Sequence, residues 1–190
     1  MVEWITKLDF TVLYWIQENI RTDWLDSVCA FLSWAFKLGI PWLVLGVLLF
    51  CFKKTRAAGA ILITAVVLTF FFNELAIKNA VNRERPCTID TAIPLAVEKP
   101  TSFSFPSGHT ASCFAAVGAL LFTYKKIGIP LILFAVIMGL SRMYLFVHFP
   151  TDVIAGAALG ILMAWVTVLI FRELKYDEKL NNLDLKLRRN

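Results

Sequence analysis

The sequence predicts an all-α protein, a polytopic bundle of membrane helices. Of its 190 residues, 58% are hydrophobic, whereas a soluble domain is normally about 45–50% apolar. Several stretches reach or exceed the roughly 18 apolar residues that indicate a membrane span. Lipid leaves only helices and closed barrels as spanning structures, and these apolar runs are continuous rather than alternating, so we expect helices.

Five spans are expected, with six as the alternative. They are residues 24–52, 57–77, 107–124, 127–146 and 151–171. Gly39 and Pro41 mark a kink in the first of them, and Lys37 is expected to snorkel or to face other helices there. No internal repeat or second domain is visible, so residues 1–190 are expected to form a single integral-membrane domain.

Residues 1–23 are predicted to form an amphipathic helix that lies in the membrane interface. Polar and apolar side chains alternate there at helical spacing, the former at Glu3, Lys7, Thr11, Tyr14 and Glu18, the latter at Trp4, Ile5, Leu8, Val12, Trp15 and Ile16. Because charges are mixed into this segment, no cleavable signal peptide is expected.

The basic residues predict the orientation in the membrane. They cluster at three places, which are Lys53, Lys54 and Arg56, then Lys125 and Lys126, then Arg172 and the segment after it. The positive-inside rule puts these regions in the cytoplasm, with residues 172–190 as a cytoplasmic tail. Loop 78–105 and link 147–150 then face the outside, periplasmic or extracellular. The net charge of +5 is thereby explained by the membrane, and no nucleic-acid partner is expected.

Three short polar clusters stand at the outer ends of these spans. They contain both histidines of the chain, together with three cations and one carboxylate. Phosphate-ester chemistry through a histidine nucleophile requires this set of groups. The clusters read Lys78-x6-Arg85-Pro86, Pro106-Ser107-Gly108-His109 and Ser141-Arg142-x5-His148-x3-Asp152.

The first cluster offers two cations for a phosphate. Lys78 and Arg85 are seven residues apart, so both would face one side of a continuing helix that ends at Pro86. Two cations on one face can bind a doubly charged phosphate. The alternative is that Lys78 forms an ion pair with Glu74, four residues earlier.

The second cluster opens a span, where free backbone N–H groups favour an anion. Ser107 is expected to cap the helix, and Gly108 would let a ligand approach the backbone closely. His109, beside cations, is expected to have an acid–base role. An ordinary helix start with a capping serine is the alternative for this tetrapeptide.

The third cluster pairs a histidine with a carboxylate. His148 and Asp152 are four residues apart around Pro150, so their side chains can meet at the first turn of the last span. A carboxylate on one ring nitrogen leaves the other free as a nucleophile. A structural histidine that caps a helix is the alternative. Arg142 needs an anionic partner at its depth in the membrane, and Ser141 can supply a further hydrogen bond.

The patterns K-x6-RP, PSGH and SR-x5-H-x3-D resemble, without departure, the signature of the type-2 phosphatidic acid phosphatase superfamily, which also contains the vanadium-dependent haloperoxidases. The resemblance covers roughly residues 70–171. It implies that His148 attacks phosphorus, that Asp152 orients the ring and that His109 protonates the leaving oxygen. It also implies a phosphate-binding set formed by Lys78, Arg85, Ser107, Gly108, Ser141 and Arg142.

No metal and no cofactor are expected, because the carboxylates are scattered and the four cysteines lack metal-type spacing. The expected partners are the bilayer and a membrane lipid phosphate. Undecaprenyl diphosphate is the preferred substrate, with phosphatidylglycerophosphate, phosphatidic acid and a lipid A phosphate as alternatives. A haloperoxidase and a non-enzymatic lipid transporter or binding protein are the alternatives of a different class. Phe103 and Phe105 are expected to pack at the membrane surface or to line the path of the lipid.

Overall fold

A computed structural model describes residues 3–174 and residue 176, and this part of the chain contains helices and no strand. The α-helices are α1 Glu3–Asn19, α2 Asp23–Ala35, α3 Ile40–Cys51, α4 Arg56–Phe71, α5 Lys78–Val81, α6 Pro86–Ile89, α7 Gly108–Thr123, α8 Lys125–Tyr144 and α9 Pro150–Glu173. A 3₁₀ turn, Lys37–Gly39, joins α2 to α3, and a π-helical turn, Phe72–Ile77, joins α4 to α5. The all-α prediction is confirmed, while the predicted tail 172–190 lies mostly outside the described residues.

Three helical segments in the described part are long and apolar enough to cross a membrane. They are Arg56–Val81, Lys125–Tyr144 and Pro150–Glu173, and a fourth results if α2 and Lys37–Cys51, which meet at a bend of 43°, count as one broken span. The bend lies where Gly39 and Pro41 predicted a kink, and Leu38 and Gly39 both have positive φ there. Helix α7 is apolar but shorter. The membrane architecture is therefore confirmed, and the number of five spans stays a prediction.

Helix α7 lies at the centre of the bundle, in contact with α4, α8 and α9. Its buried positions are mostly small residues, among them Ala115, Ala116 and Ala119, which pack with Leu62 of α4 and Ala164 of α9. Small side chains let helix backbones approach closely, which is the usual basis of helix association in a membrane.

Two glycines of α9 set how closely that helix approaches α7. A Cβ atom on Gly160 would lie 2.3 Å from the carbonyl oxygen of Ala111 and 2.7 Å from the amide nitrogen of Ala115. A Cβ atom on Gly156 would lie 2.6 Å from the carbonyl oxygen of Ser107. In both cases the neighbouring atom belongs to the backbone, so rotation of a side chain could not remove the overlap. The start of α7 is thus held directly against α9.

Helix α1 packs on the turn between α8 and α9. Leu13 is fully buried, and the ring of Phe10 meets the edge of Phe149 at 5.1 Å between centroids. On the other side Trp4 and Trp15 remain 62% and 56% exposed. A helix with one face on the protein and exposed tryptophans on the other suits the membrane interface, where indole rings are favoured.

The two ends of the bundle differ in charge. At one end the Tyr124 hydroxyl donates to the backbone carbonyl of Lys54, which joins the two basic loops around Lys54 and Lys125. At the other end α7 begins, α8 ends and α9 begins. The 16 residues of α7 separate these ends by about 24 Å at 1.5 Å per residue. The polar clusters therefore lie at the end away from the basic loops.

Substitution of Gly160 by alanine should destabilise the bundle, because the added methyl group meets backbone atoms of α7. Overpacking of this kind costs about 1–3 kcal/mol, and we expect a lower midpoint of thermal unfolding in detergent. Ala158→Val is the matched control, since Ala158 is exposed on the same helix. Equal midpoints for Gly160→Ala and Ala158→Val would contradict the close approach of α7 and α9.

Candidate active site

One cavity, of about 660 Å³, gathers most of the predicted site residues. Its wall includes Lys78, Arg85, Gly108, His109, Arg142 and His148. The other three, Ser107, Ser141 and Asp152, are buried and lie behind that wall. The three sequence clusters therefore meet at one place, and their members fall into two groups, those that face the cavity and those that contact the facing residues.

The first cluster reaches the cavity by a different route from the predicted one. Helix α5 ends at Val81, Asn82 adopts a left-handed conformation with φ of 50°, and Pro86 begins a new short helix. The prediction that Lys78 and Arg85 share a helical face is wrong, because a left-handed residue at this position ends the helix. The two cations meet instead at the Ser102 hydroxyl, which accepts from Lys78 Nζ at 3.3 Å and from Arg85 Nη2 at 3.1 Å.

Lys78 also forms the ion pair with Glu74 that was predicted as the alternative for this residue. Its Nζ lies 2.7 Å from Glu74 Oε1, and Asn73 Nδ2 donates to the same carboxylate oxygen at 3.0 Å. Glu74 and Asn73 belong to the π-helical turn, a feature that is frequent at functional sites. Lys78 is nearly buried and Glu74 is half-open to the cavity, so the lysine has one anionic partner before any ligand arrives.

Arg85 fixes the tautomer of His148. Its Nη1 lies 3.0 Å from His148 Nε2 and donates to the Val147 carbonyl at 2.9 Å. A guanidinium group only donates hydrogen bonds, so Nε2 is the unprotonated ring nitrogen and Nδ1 carries the proton. The remaining donors of Arg85 bond to Ser102 and to the Phe103 carbonyl. The lone pair that a nucleophilic imidazole needs is thus on the atom beside the cations.

His148 and Asp152 are close but do not form the expected hydrogen bond in this structure. Nδ1 of His148 lies 3.6 Å from Asp152 Oδ2, beyond hydrogen-bonding distance, and no other hydrogen-bond partner lies near it among residues 3–174 and 176. The carboxylate is held instead by the Ser104 hydroxyl at 2.5 Å, the Phe149 amide at 2.8 Å and Arg83 Nη1 at 2.6 Å. Asp152 is therefore held in place, and a small movement of the His148 ring would bring Nδ1 within hydrogen-bonding distance of its carboxylate.

Ser107 stands at the start of α7 without capping it by its side chain, contrary to the prediction. Its hydroxyl accepts from the Thr110 hydroxyl at 2.9 Å, and its amide donates to the Asp152 carbonyl at 3.0 Å. The hydroxyl contacts the Thr110 side chain rather than a backbone N–H group of the first turn. Gly108 lines the cavity, and a Cβ atom there would come within 3.3 Å of Asn73 and Glu74, so the glycine allows α7 to approach the π-helical turn.

Helix α2 holds both His109 and Arg142. The Ser33 carbonyl lies 3.1 Å from His109 Nε2, and the Ser33 hydroxyl accepts from Arg142 Nη1 at 2.7 Å. Since a carbonyl only accepts, Nε2 of His109 carries a proton. Ser141 accepts from Arg142 Nη2 at 2.9 Å, so it orients the guanidinium group from behind. Phosphate contact by Ser107 and Ser141 stays a prediction.

Several residues that hold the site residues in place were not predicted from the sequence. Arg83 and Ser104 hold Asp152, and Ser33 and Ser102 hold the cations and His109. Asp9 of α1, which is 3% exposed, pairs with Arg83 at 2.7 Å. A signal for Asp9 existed, because it lies four and seven residues before Leu13 and Ile16 on the buried stripe of α1, where a carboxylate needs a partner. The serines carry no comparable signal.

Phe103 is partly exposed, and its carbonyl is bound to Arg85. The four cysteines are unpaired. Among the described residues no group of three His, Cys, Asp or Glu side chains is placed to hold a metal ion. The groups that converge on the cavity are instead cations and N–H donors, which suit an anionic ligand with several oxygens.

Comparison with known proteins points to the same family as the three sequence motifs. A family model described as the PAP2 superfamily matches residues 58–176. An undecaprenyl-diphosphatase of Sulfolobus acidocaldarius is 35% identical over 146 residues, 76% of this chain and 68% of the relative. Phosphatidylglycerophosphatase B of Bacillus subtilis is 35% identical over 181 residues, 88% of this chain and 82% of the relative.

The fold is similar to a crystal structure of a transmembrane PAP2-type phosphatidylglycerolphosphate phosphatase from Bacillus subtilis. The TM-score is 0.74 at 25% sequence identity, and the likeness covers 90% of this chain and 88% of that one. A family match over more than half of the residues, with three intact motifs around one cavity, shows that the chain belongs to the PAP2 superfamily and is a phosphatase of it.

Proposed function

We propose that this protein is a metal-independent phosphatase that hydrolyses a phosphate or diphosphate on a membrane lipid through a phosphohistidine at His148. The observation that carries the proposal is the convergence of Lys78, Arg85, Arg142 and both histidines on one cavity. Such a set can bind a phosphoryl group, attack it and protonate its leaving oxygen.

His148 is prepared for nucleophilic attack. Burial, and next the nearby Arg85, lower the pKa of its imidazole from 6.5 to about 3, so the ring is neutral at ordinary pH. Nε2, the unprotonated nitrogen, attacks phosphorus and forms a P–N bond while the P–O bond to the lipid breaks. Positive charge then develops on the ring, and Asp152, 3.6 Å from Nδ1, stabilises it.

The remaining groups of the cavity complete the reaction. Lys78, Arg85 and Arg142, with the Gly108 amide, hold the phosphoryl oxygens, whose charge is spread over three equatorial positions in the transition state. His109, protonated on both ring nitrogens, gives the Nδ1 proton to the leaving oxygen while Nε2–H stays on the Ser33 carbonyl. Its neutral Nδ1 then takes a proton from the water that attacks phosphorus, and the P–N bond of the phosphohistidine breaks. Ser107 and Ser141 complete the predicted phosphate-binding set.

Undecaprenyl diphosphate is the preferred substrate. The relative from Sulfolobus acidocaldarius has that activity in its name, and the relative from Bacillus subtilis is named for phosphatidylglycerophosphate. The cavity also has an apolar wall, including Trp34, Leu38, Val66 and Phe70, that can contact a lipid chain. Phosphatidylglycerophosphate, phosphatidic acid and a lipid A phosphate share the same phosphate chemistry and remain the alternatives.

The proposed topology is a single domain, residues 1–190, with five spans and α1 in the interface. The spans are the broken pair α2–α3, the segment Arg56–Val81, and α7, α8 and α9. The basic loops at Lys54 and Lys125 lie at the end of the bundle away from the cavity, which supports a cytoplasmic position for them. The active site then faces the outside.

Replacement of each histidine by alanine should separate their roles. For His148→Ala we expect phosphate release to fall by about 10³-fold or more on every substrate, because the nucleophile is lost. For His109→Ala we expect a loss of about 10²–10⁴-fold in turnover on a lipid monophosphate. On p-nitrophenyl phosphate we expect a rapid burst of p-nitrophenol followed by slow turnover, because this leaving group needs no proton whereas hydrolysis of the phosphohistidine still needs an activated water.

The measurement is kcat on both substrates and the pre-steady-state burst of p-nitrophenol with purified protein, beside Glu18→Gln as a distant control on α1. Absence of a burst in His109→Ala, as in His148→Ala, would remove His109 from the role of acid. Full activity of His148→Ala would overturn the phosphohistidine mechanism.

Chelation should leave turnover unchanged. Undecaprenyl diphosphate, phosphatidylglycerophosphate, phosphatidic acid and a lipid A phosphate would be assayed in detergent with EDTA, and vanadate should inhibit because it mimics the five-coordinate phosphorus. The lipid with the highest kcat/KM identifies the substrate class. Loss of turnover in EDTA that returns with a divalent cation would contradict the metal-independent mechanism.

The charge state of His148 can be tested directly. Burial disfavours the imidazolium, so the ring should stay neutral as the pH falls below 6.5 and should titrate only near pH 3. The unfolded chain takes up the proton more readily, so the free energy of unfolding should decrease as the pH is lowered from 6.5 to about 3. The readout is the ¹⁵N NMR titration of histidine rings, assigned with His109→Gln because the chain has two histidines. A midpoint near 6.5 for His148 would contradict its burial beside Arg85.

A further inference from the structure

A buried carboxylate of the first helix reaches the segment that carries the nucleophile. Asp9 is 3% exposed and lies on the protein-facing side of α1 with Leu13 and Ile16. A carboxylate costs several kcal/mol to bury unless charged or hydrogen-bonded partners compensate it. Its partners in this structure all belong to, or contact, the start of α9.

Asp9 binds the first turn of α9 directly. The Thr151 amide donates to Asp9 Oδ1 at 3.1 Å, and the Thr151 hydroxyl donates to Asp9 Oδ2 at 2.5 Å. Thr151 is the second residue of α9, where backbone N–H groups lack intrahelical partners. Asp9 therefore supplies, from another helix, a cap for the turn that contains Asp152.

Asp9 also shares a guanidinium group with Asp152. Nη2 of Arg83 lies 2.7 Å from Asp9 Oδ2, and Nη1 lies 2.6 Å from Asp152 Oδ1. Nη1 donates to Thr151 as well, and the guanidinium lies over the Phe149 ring at 3.8 Å. Arg83 is thus fixed on several sides, in a position where its charge acts on both carboxylates.

The charges of Asp9, Arg83 and Asp152 together determine how strongly Asp152 can stabilise a positive charge on His148. Two carboxylates share one guanidinium, so the group has a net charge of about −1 when both are ionised. His148 faces this group through Asp152, 3.6 Å from Nδ1, and Arg85 lies at the other ring nitrogen, Nε2. Without Asp9 the charge of Arg83 would be opposed by Asp152 alone, and the field at the ring would become less negative.

We propose that Asp9 is a positioning residue of the phosphatase reaction, acting on Asp152 and His148 through Arg83 and Thr151. It offsets the charge of Arg83, so that Asp152 can stabilise the positive charge that develops on His148 during attack. The inference rests on the proposed histidine mechanism. It gives α1, which contains none of the three motifs, a part in catalysis.

The first experiment replaces Asp9 by asparagine, which keeps an acceptor for the Thr151 amide but removes the charge and the Oδ2 acceptor that faces the Thr151 hydroxyl and Arg83. We expect kcat on undecaprenyl diphosphate and on p-nitrophenyl phosphate to fall by about 10²-fold, the size expected when catalytic geometry and charge are displaced. KM should change little, because Lys78, Arg85 and Arg142 do not contact Asp9. Asp9→Glu should recover part of kcat, and Glu18→Gln, an exposed change on the same helix, should leave it unchanged.

A double substitution distinguishes charge compensation from general stability. In an Arg83→Gln background there is no cation for Asp9 to offset, so adding Asp9→Asn should cause little further loss of kcat. Assays would be run well below the thermal midpoint of each variant, so that the protein is folded. Losses that multiply across the two substitutions would overturn the proposed action through Arg83.

The two levels of the proposal fail in different ways. If the wild-type protein releases no phosphate from any substrate, or His148→Ala stays active, the histidine mechanism itself is wrong. If the wild-type protein is active and His148→Ala is inactive, but Asp9→Asn retains kcat, then only the positioning role of Asp9 is wrong. A rise of KM at constant kcat would likewise overturn it.

Discussion

Buried positive charge is the constraint on which the rest of this structure depends. Lys78, Arg85 and Arg142 are between 1% and 5% exposed, and within the described residues both arginines bond only to neutral groups. Removing a cation from water costs several kcal/mol unless an anion compensates it. Glu74 supplies one negative charge. In the proposed reaction a phosphoryl group with two negative charges would compensate most of the remaining positive charge, so part of its binding energy would come from offsetting the cost of these buried cations.

The fold holds the two arginines of the cavity wall, Arg85 and Arg142, by means of carbonyl and hydroxyl oxygens rather than carboxylates. Ser102 and Val147 accept from Arg85, and Ser33 accepts from Arg142. Neutral acceptors fix the direction of a guanidinium group without cancelling its charge, whereas a carboxylate would compete with the substrate. Arg83, which pairs with both Asp9 and Asp152, lies behind Asp152 as seen from the cavity. The arginine behind Asp152 is therefore paired with carboxylates, whereas Arg85 and Arg142 on the cavity wall are bound by neutral acceptors.

The sequence predicted the class of fold, the motif residues and their meeting at one place, because their chemistry requires proximity. It failed where a local conformation decided the geometry. Nothing in the helical spacing of Lys78 and Arg85 indicated that Asn82 would end the helix. It also failed where a contact joins distant parts of the chain, as between Ser33 and Arg142, since a serine is common on any helix. Asp9 is the intermediate case, because its place on a buried stripe is visible but its partner is not.

Motif residues and substrate selection occupy different parts of the cavity. In the proposed reaction the cations and histidines contact a phosphoryl group, which every lipid phosphate presents in the same form. The apolar wall lies toward the bend between α2 and α3 and includes Trp34, Leu38 and Phe70. A lipid chain that lies against this wall would gain binding energy in proportion to the apolar area that it buries. We therefore infer that lipids with the same phosphate group are distinguished by their contacts at this bend, outside the three motifs.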